Sequence, residues 1–284
     1  MNSLIDEFLS SCSFAATTKR TYSHILRDLE TKPDLETWTG PDLLRFIERE
    51  EWGNARRCVA LAACCHYLRW RFGMQHAALS MKIKRLGSKR QRVLSADKAL
   101  ELLASFDTYK TKGSRDLAIA ALALDTGLRC AELCRLRTED VDLERRTLQV
   151  ICKGGRWAWA VFSPETAQYI QEWNAQRAGR GDMQFLFVST RTWSGLKAGG
   201  LAKIMGCWGE NLNIKLSPHD LRRSFATLST IYGAPSRVVQ LAGRWSNIGM
   251  VERYTRELQI TAISPYFPVS NLGQGSAQSR RENK

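Results

Sequence analysis

Residues 217–227, Ser-Pro-His-Asp-Leu-Arg-Arg-Ser-Phe-Ala-Thr, form the stretch from which the rest of the chain is best understood. Ser217 is a favoured N-cap residue and Pro218 suits the first helical position, so a helix is predicted to begin here. Apolar side chains recur about one turn apart along this segment and predict a buried stripe: Leu221, Phe225 and Leu228.

His219 and Arg222 share a different face of the predicted helix, because residues three apart are neighbours on a helix surface. They stand beside the free backbone N–H groups of the helix start, where phosphates commonly bind. Tyr254 follows further along the chain, among Arg253 and Arg256. A His/Arg pair suited to phosphate, together with a tyrosine among basic residues, indicates chemistry on a phosphodiester.

The chain is strongly basic. Its 284 residues carry a formal net charge of +14, and its pI is about 9.7. This charge predicts a polyanionic partner, of which nucleic acid is the first choice and an anionic membrane surface the alternative. The length allows one large domain or two ordinary ones, and a hydrophobic content of 44% fits a globular protein.

The sequence carries no sign of export or membrane insertion. Residues 1–9 include Asp6 and Glu7 and lack a basic start, which argues against a signal peptide. No apolar run approaches the ~18 residues of a membrane span. We therefore expect a cytoplasmic, nucleoid-associated protein with no membrane partner. Its eight cysteines are expected to be reduced and, without paired CxxC elements, to be small apolar core residues.

Shifts in composition divide the chain. Hydrophobic periodicity within residues 3–80 predicts four short helices in a small bundle. A basic stretch interrupted by Gly87-Ser88 follows and is predicted to be an exposed linker. The predicted organisation is a helical domain at 1–81, the linker at 82–92, a second domain at 93–263 and a loosely ordered tail at 264–284.

The basic side chains of the linker allow two interpretations: they lie along a DNA backbone, or they coat a solvated hinge. We take DNA binding as the hypothesis. The residues concerned are Lys82, Lys84, Arg85, Lys89, Arg90 and Arg92.

A helix break is predicted early in the second domain. Ser95 and Ser114 are expected to cap two helices, and the second is apolar nearly all round through Leu117–Leu124 and therefore buried. Gly127 is suited to the conformation that ends a helix. Arg129 follows at once, and an arginine held by rigid neighbours at such a break can point into a cleft.

One β-hairpin is predicted. Leu148–Cys152 and Trp157–Phe162 are rich in strand-forming residues, and Gly-Gly between two such runs is a hairpin signal. Lys153 and Arg156 flank its tip. Such a tip can reach a groove of nucleic acid.

Three carboxylates precede the hairpin: Glu139, Asp140 and Asp142. A two-metal nuclease site would need partner carboxylates spaced as a second ligand set, and the sequence offers none. We expect these residues to form a solvated turn, and no metal is predicted.

Five sequence elements stand in the order and spacing of a known family. They are Thr126-Gly-Leu-Arg-Cys-Ala-Glu132, Lys153 in the hairpin, His219-Asp-Leu-Arg222, Gly243-Arg-Trp245 and Tyr254. Residues 90–258 thereby resemble the tyrosine recombinases, the family of the phage-type integrases and of the recombinases that resolve chromosome dimers. The resemblance implies a mainly α fold with a small antiparallel β element, arranged as a two-domain DNA clamp. The bundle would be the core-binding (SAM-like) DNA-binding domain and the second domain the catalytic one.

The resemblance also implies a site-specific DNA recombinase that needs neither metal, ATP nor another cofactor. Tyr254 is the implied nucleophile, which attacks a phosphodiester to give a 3′-phosphotyrosyl bond and a free 5′-hydroxyl. The covalent link retains the energy of the broken bond. Arg129 and Arg222 are implied to grip the non-bridging oxygens of the scissile phosphate, where the transition state gathers negative charge.

The remaining implied roles concern protons and support. Lys153 protonates the departing 5′-oxygen or, alternatively, only contacts a phosphate, as Arg156 is expected to do. His219 accepts the tyrosine proton or binds the phosphate. Trp245 stands where the family most often has histidine, and its indole N–H can donate to the phosphate but cannot titrate. Glu132 is expected to orient its neighbours without touching DNA.

The implied partners are double-stranded DNA at specific sites, a tetramer of this chain on two such sites, and accessory DNA-bending proteins. The segment after Tyr254 would pack onto a neighbouring protomer or fold back on its own domain. Integration or movement of a mobile element is one setting for such an enzyme. Two rival hypotheses remain: a type IB topoisomerase-like enzyme that nicks and closes DNA without strand exchange, and a non-catalytic DNA-binding regulator. The complete set of catalytic residue types argues against the regulator.

Overall fold

Two separate hydrophobic cores divide the chain into two units, residues 1–89 and 90–284. The computed structural model describes residues 3–49, 51–80, 91–152 and 154–255, without the side chains of 253–255. Of the predicted linker at 82–92, only Gln91 and Arg92 are described, and the predicted tail at 264–284 lies outside the described residues. The exact domain boundaries therefore stay a prediction.

The first unit contains the four predicted helices. They are α1 (Leu4–Ser11), α2 (Ala16–Glu30), α3 (Gly40–Ile47) and α4 (Asn54–Phe72), with short 3-10 turns at Leu35–Thr37 and Ala77–Ser80. Thr39 and Asp42 form a capping box that starts α3. Phe8, Leu26 and Tyr67 lie fully buried in the core between these helices.

The second unit holds eight helices among its described residues, arranged around one buried helix. They are α5 (Ala96–Ala104), α6 (Thr111–Thr126), α7 (Cys130–Leu133), α8 (Pro164–Gln176), α9 (Ala198–Asn211), α10 (Pro218–Ile231), α11 (Ser236–Ala242) and α12 (Gly249–Thr255). As predicted, α6 is buried on nearly every side, from Leu117 to Ala123. It packs against α8 and α10 in the core of the unit.

The start of α6 differs from the prediction. Ser114 is not an N-cap, because the helix begins three residues earlier and Ser114 is buried inside it. The turn before the helix is closed by Asp107, whose carbonyl accepts the Lys110 N–H at 3.1 Å. Gly113 passes so close to this carbonyl that any Cβ there would collide with it. That glycine allows the helix to begin before Ser114.

A small antiparallel sheet completes the second unit. The predicted hairpin is confirmed as β2 (Thr147–Ile151) paired with β3 (Trp157–Val161), in a register that places Gln149 opposite Trp159. A third strand, β1 (Val141–Asp142), pairs antiparallel with β2 and was not predicted. Its two residues are too few to show an alternating pattern, which is why the sequence indicated only a turn.

The cysteines agree only in part with the expectation of core residues. Cys64, Cys134 and Cys152 are buried, whereas Cys207 is exposed on α9. The others, at 12, 58, 65 and 130, are partly buried. Within the part of the chain that is described, no helix combines the length and the apolarity that a bilayer span requires.

Candidate active site

The turn between α6 and α7 is built on Gly127. Its φ of 58° is left-handed, and its N–H donates to the Ala123 carbonyl at 3.0 Å, which ends α6 as predicted. A Cβ at this position would lie 2.5 Å from a ring carbon of Phe225 on α10. Only glycine lets the turn approach α10 so closely, and the approach places Arg129 beside that helix.

Arg129 is held by one buried carboxylate. It is the N-cap of α7, and its backbone N–H donates to Glu132 Oε2 at 2.8 Å while its Nη1 donates to Glu132 Oε1 at 2.7 Å. Glu132 is only 4% exposed, whereas the Arg129 side chain is 35% exposed. The guanidinium is therefore fixed on one side by Glu132 and open to solvent on another.

The predicted start of α10 is confirmed, and its cap is a capping box. Asp220 Oδ2 accepts from the Ser217 hydroxyl at 2.7 Å and from the Ser217 N–H at 2.9 Å. The same carboxylate pairs with Arg223 at 3.0 Å and with Arg92 at 3.3 Å. This network fixes the first turn of α10, which carries His219 and leads into Arg222.

Arg222 is buried and spans two turns of the chain. Its guanidinium donates to the Gly127 carbonyl and, at 2.5 Å, to the Gly243 carbonyl. It also lies 4.5 Å from the centre of the Trp245 ring, within cation–π range. Arg222 thus ties the α6–α7 turn to the segment between α11 and α12.

Trp245 packs against the guanidinium of Arg222. The residue is 7% exposed, and its ring is stacked against Phe225 at a centroid distance of 6.2 Å. Any Cβ at Gly243 would collide with the indole ring, so the glycine is required for this packing. The sequence predicted a phosphate donor here; the structure adds a packing role that the sequence did not reveal.

His219 is exposed at the start of α10 and sits in a positive environment. Its pKa is lowered from the usual value, first by partial desolvation and then by the charges of Arg223 and Arg222, which Asp220 only partly offsets. The imidazole is therefore neutral at neutral pH. A neutral ring can accept a proton from a neighbouring hydroxyl.

The hairpin tip is described on both sides of Lys153, which itself lies outside the described residues. Gly154 and Gly155 have φ of 88° and 77°, and the Cys152 N–H donates to the Arg156 carbonyl at 2.8 Å. Arg156 is exposed, and its contact with DNA stays a prediction. Of the predicted linker contacts, five lie outside the described residues: Lys82, Lys84, Arg85, Lys89 and Arg90.

Tyr254 lies on α12, although its side chain is outside what the structure describes. The helix is anchored by Val251, which is fully buried in a small core with Phe225, Val239 and Trp245. Consequently α12 packs against α10 and α11. The backbone that carries Tyr254 thus shares a core with the helix that carries Arg222.

The carboxylates in the turn before the hairpin interact with neighbouring residues of the same segment. Asp140 accepts the Arg137 N–H at 2.8 Å, and Asp142 accepts the Arg145 N–H at 2.8 Å. Glu139 pairs with Arg137 at 3.4 Å. Among the residues described, no three of His, Cys, Asp and Glu are grouped as metal ligands.

Sequence reasoning missed Arg244, which stood in a quoted motif without a role. Its side chain is 5% exposed; its Nη1 donates to the Ala242 carbonyl at 2.7 Å and its Nη2 to the Thr126 carbonyl at 3.0 Å. Its Nη2 also lies 3.9 Å from Glu132 Oε2. A charged residue between a required glycine and a large aromatic residue is the sequence signal that could have drawn attention to it.

Comparison with known proteins identifies the family of the chain. Residues 92–259 match the model of the phage integrase family. The chain is 30% identical to the tyrosine recombinase XerD of Listeria innocua, over 94% of this chain and 98% of that protein. It is 26% identical to the tyrosine recombinase XerA of Thermococcus kodakarensis, over 90% and 91% respectively.

Solved structures share the fold. The Tn1549 transposon integrase in complex with a circular intermediate DNA aligns with a TM-score of 0.75 and 15% identity, over 92% of this chain and 98% of that one. A lambda integrase dimer bound to a COC′ core site aligns with a TM-score of 0.73 and 16% identity, over 90% and 78% respectively. Both structures were solved with DNA bound.

These matches show that the chain belongs to the phage integrase family. It is a site-specific tyrosine recombinase, an enzyme of DNA recombination. The predicted family, the enzyme class and the mainly α fold with a small antiparallel β element are therefore confirmed.

Proposed function

We propose that this recombinase cuts and rejoins duplex DNA at specific sites with Tyr254 as its nucleophile. The phenolic oxygen attacks the scissile phosphorus, a new phosphorus–oxygen bond forms, and the bond to the 5′-oxygen breaks. The product is a 3′-phosphotyrosyl link and a free 5′-hydroxyl. Reversal by a 5′-hydroxyl from another strand completes strand exchange without loss of bond energy.

The observation that carries this proposal is the shared frame of Arg129, Arg222 and α12. Arg222 binds the carbonyls of Gly127 and Gly243, so the turn that presents Arg129 and the segment that leads to Tyr254 are held together. Both guanidiniums would stabilise the negative charge on the non-bridging oxygens as the phosphorus becomes pentacoordinate. Preorganised donors of this kind cost no rearrangement during the reaction.

The proton transfers have two proposed carriers. His219 is neutral at neutral pH because its pKa is lowered, so it would accept the tyrosine proton or donate to the phosphate. Lys153 would protonate the 5′-oxygen as it departs, from a tip where two consecutive glycines shape the turn. The indole N–H of Trp245 would donate to the phosphate, and Glu132 would hold Arg129 in place.

We further propose that the enzyme works as a tetramer on two DNA sites, in the nucleoid, with accessory DNA-bending proteins where the sites require them. The net charge of +14 and the similar proteins solved on DNA support DNA as the partner, whereas the tetramer and the accessory proteins rest on the family resemblance alone. The basic linker at 82–92 and Arg156 would contact phosphates. The described linker residue Arg92 keeps its side chain 58% exposed while it pairs with Asp220.

The test is covalent trapping on a nicked suicide substrate, in which the cleaved strand loses a short fragment and cannot be rejoined. Wild-type protein should form a protein–DNA adduct, and Tyr254→Phe should form none. An adduct that persists in Tyr254→Phe would refute the nucleophile. A two-site recombination assay beside a supercoil-relaxation assay distinguishes strand exchange from topoisomerase-like nicking and closing.

A further inference from the structure

A buried arginine that no catalytic role accounts for lies behind the proposed phosphate-binding residues. Arg244 has a φ of 56°, in the left-handed region that a residue with a Cβ adopts only at a cost. Its side chain is nevertheless almost completely buried. Strain of this kind persists where the surrounding contacts over-determine it, and it is concentrated at functional sites.

Arg244 is linked to Arg129 through the side chain of Glu132. The carboxylate of Glu132 is shared: Oε1 accepts from the Arg129 guanidinium at 2.7 Å, while Oε2 accepts from the Arg129 N–H at 2.8 Å and faces Arg244 at 3.9 Å. Because the Arg129 N–H binds Oε2 and the Arg244 guanidinium attracts the same oxygen, both oppose rotation of the carboxylate and keep Oε1 directed at the Arg129 side chain.

Arg244 also holds the turn from which Arg129 emerges. Its Nη2 donates to the carbonyl of Thr126, the last residue of α6. Arg222 binds the next carbonyl, that of Gly127. Arg244 and Arg222 therefore donate to consecutive carbonyls of one turn. Arg244 belongs to the segment that precedes α12, and Arg222 binds that segment through the Gly243 carbonyl.

Arg244 meets the requirements for an indirect role and not for a direct one. Its guanidinium donates to the carbonyls of Ala242 and Thr126 and also interacts with Glu132 and Cys152, so its donors are directed at the protein. Burial lowers the pKa of the Arg244 guanidinium, Glu132 and Cys152 act in the opposite direction, and the nearby charge of Arg129 lowers it further. The 35% exposed side chain of Arg129 remains the one available to a phosphate.

We propose that Arg244 is a positioning residue that fixes Glu132 and the Thr126–Gly127 turn so that Arg129 is held ready for the scissile phosphate. The inference rests on the proposed role of Arg129. It predicts that loss of Arg244 impairs cleavage through Arg129 while leaving the fold intact.

The test uses Arg244→Gly, because glycine adopts a positive φ without strain and removes the whole side chain. Single-turnover cleavage of the suicide substrate is measured with the DNA saturated by protein, and thermal melting is measured in parallel. We expect cleavage to fall about 10–100-fold, since a misplacement of about 1 Å can cost on the order of 10²-fold. The melting temperature should also fall, because the carbonyls of Ala242 and Thr126 lose a buried donor and relief of backbone strain offsets only part of that loss. Cleavage is therefore measured well below the melting temperature of the variant.

Arg146→Gly is the matched control. Arg146 has a nearly identical φ of 54°, but its side chain is exposed on the turn between β1 and β2. This variant should relieve the same kind of strain and cleave at the wild-type rate. Cleavage by Arg244→Gly within twofold of wild type would overturn the inference.

A double variant separates positioning from general weakening. Arg129→Ala combined with Arg244→Gly should cleave no more slowly than Arg129→Ala alone, because Arg244 acts through Arg129. Multiplicative losses would overturn the inference even if each single variant is slow. If Arg244→Gly melts early, Arg244→Asn, which also tolerates the left-handed region, replaces it in the same cycle.

The same experiments keep the two proposals apart. Failure of the wild type to form an adduct, or an adduct that survives Tyr254→Phe, contradicts the proposed nucleophile. An active wild type whose Arg244 variants are equally active contradicts only the positioning role.

Discussion

The two arginines proposed to bind the scissile phosphate are held in opposite ways. Arg222 is buried, and its donors reach the main-chain carbonyls of Gly127 and Gly243. Arg129 is partly exposed and is paired with the side chain of Glu132. The first is therefore part of the frame of the site as well as a donor, whereas the second is a donor carried by that frame.

This difference has an energetic consequence. Removing Arg222 would leave two carbonyls without their donor in a place that water reaches poorly, which is costly. Removing Arg129 would leave Glu132 still facing Arg244 at 3.9 Å. Stability and cleavage should therefore change together at Arg222 and separately at Arg129.

The largest effect is expected for Arg222→Ala. Cleavage should fall by roughly 10²–10³, as is typical for loss of one preorganised donor. The free energy of unfolding should also fall by about 2–6 kcal/mol, since two carbonyls lose their donor and each buried unsatisfied carbonyl costs about 1–3 kcal/mol. Single-turnover cleavage and urea unfolding measure the two quantities. Arg223→Ala, the adjacent residue paired with Asp220, is the control and should retain cleavage.

Arg129→Ala should lower cleavage by a similar factor, roughly 10²–10³, for the same electrostatic reason. Its free energy of unfolding should fall by less than that of Arg222→Ala, because the buried Glu132 carboxylate keeps the backbone N–H of residue 129 and still faces Arg244. Comparing this variant with Arg222→Ala in one urea series is the direct check. An equal loss of stability in both would show that the two arginines support the fold alike.

Gly127→Ala tests the close approach of the α6–α7 turn to α10. The left-handed φ costs an alanine about 1–2 kcal/mol, and overpacking against the Phe225 ring adds about 1–3 kcal/mol. Gly154→Ala at the hairpin tip is matched, because its φ is 88° and nothing lies within 4 Å of the added Cβ. Gly154→Ala should therefore lose only the stability that the left-handed φ costs. Equal destabilisation in urea would mean that the contact with Phe225 is unimportant.

Trp245→Phe distinguishes the two roles of the indole. A phenyl ring can keep the stack with Phe225 and the cation–π contact with Arg222 but has no N–H. If the N–H donates to the phosphate, cleavage should fall about tenfold or more, since a charge-assisted hydrogen bond contributes about 1.5–3 kcal/mol. A rate near that of wild type would leave packing as its role. Thermal melting, which should fall only slightly, is the accompanying measurement.

The sequence predicted the helix ends and the hairpin that carry the proposed site, but not the tertiary contacts that support it. A helix start, a helix stop and a hairpin depend on local residues, so the positions of His219, Arg222 and Gly127 could be predicted from short-range rules. The contact of Arg222 with Gly127 joins residues 95 positions apart and depends on tertiary packing. No local rule reveals it.

Arg244 shows the same limit more sharply. Its positive φ and its buried fork follow from how two distant turns meet, not from the residues beside it. Ser114 gives the converse case. A good capping residue was present, but the Asp107 turn and the small size of Gly113 started the helix earlier. Tertiary contacts overrode a correct local preference.

The smallest expected effect concerns the pH dependence of His219, which is near both Arg222 and Arg129. Its pKa is lowered by desolvation and by Arg223 and Arg222, so the folded protein binds its proton less readily than the unfolded chain does. Any stability that depends on this residue is therefore complete above the ordinary histidine pKa and is lost as the pH falls below it. The loss should be small, because the residue is exposed.

The cleavage rate should also be highest where His219 is neutral. If neutral His219 accepts the tyrosine proton, the rate should stay high into mildly acidic solution and fall only below the lowered pKa. Arg223→Ala removes the larger of the two arginine contributions and should move that fall to higher pH without changing the rate on the alkaline side. His219→Gln should abolish the inflection, whereas an inflection that is unchanged in both variants would assign the titrating group elsewhere. A series of single-turnover rates from mildly acidic to alkaline pH makes the comparison.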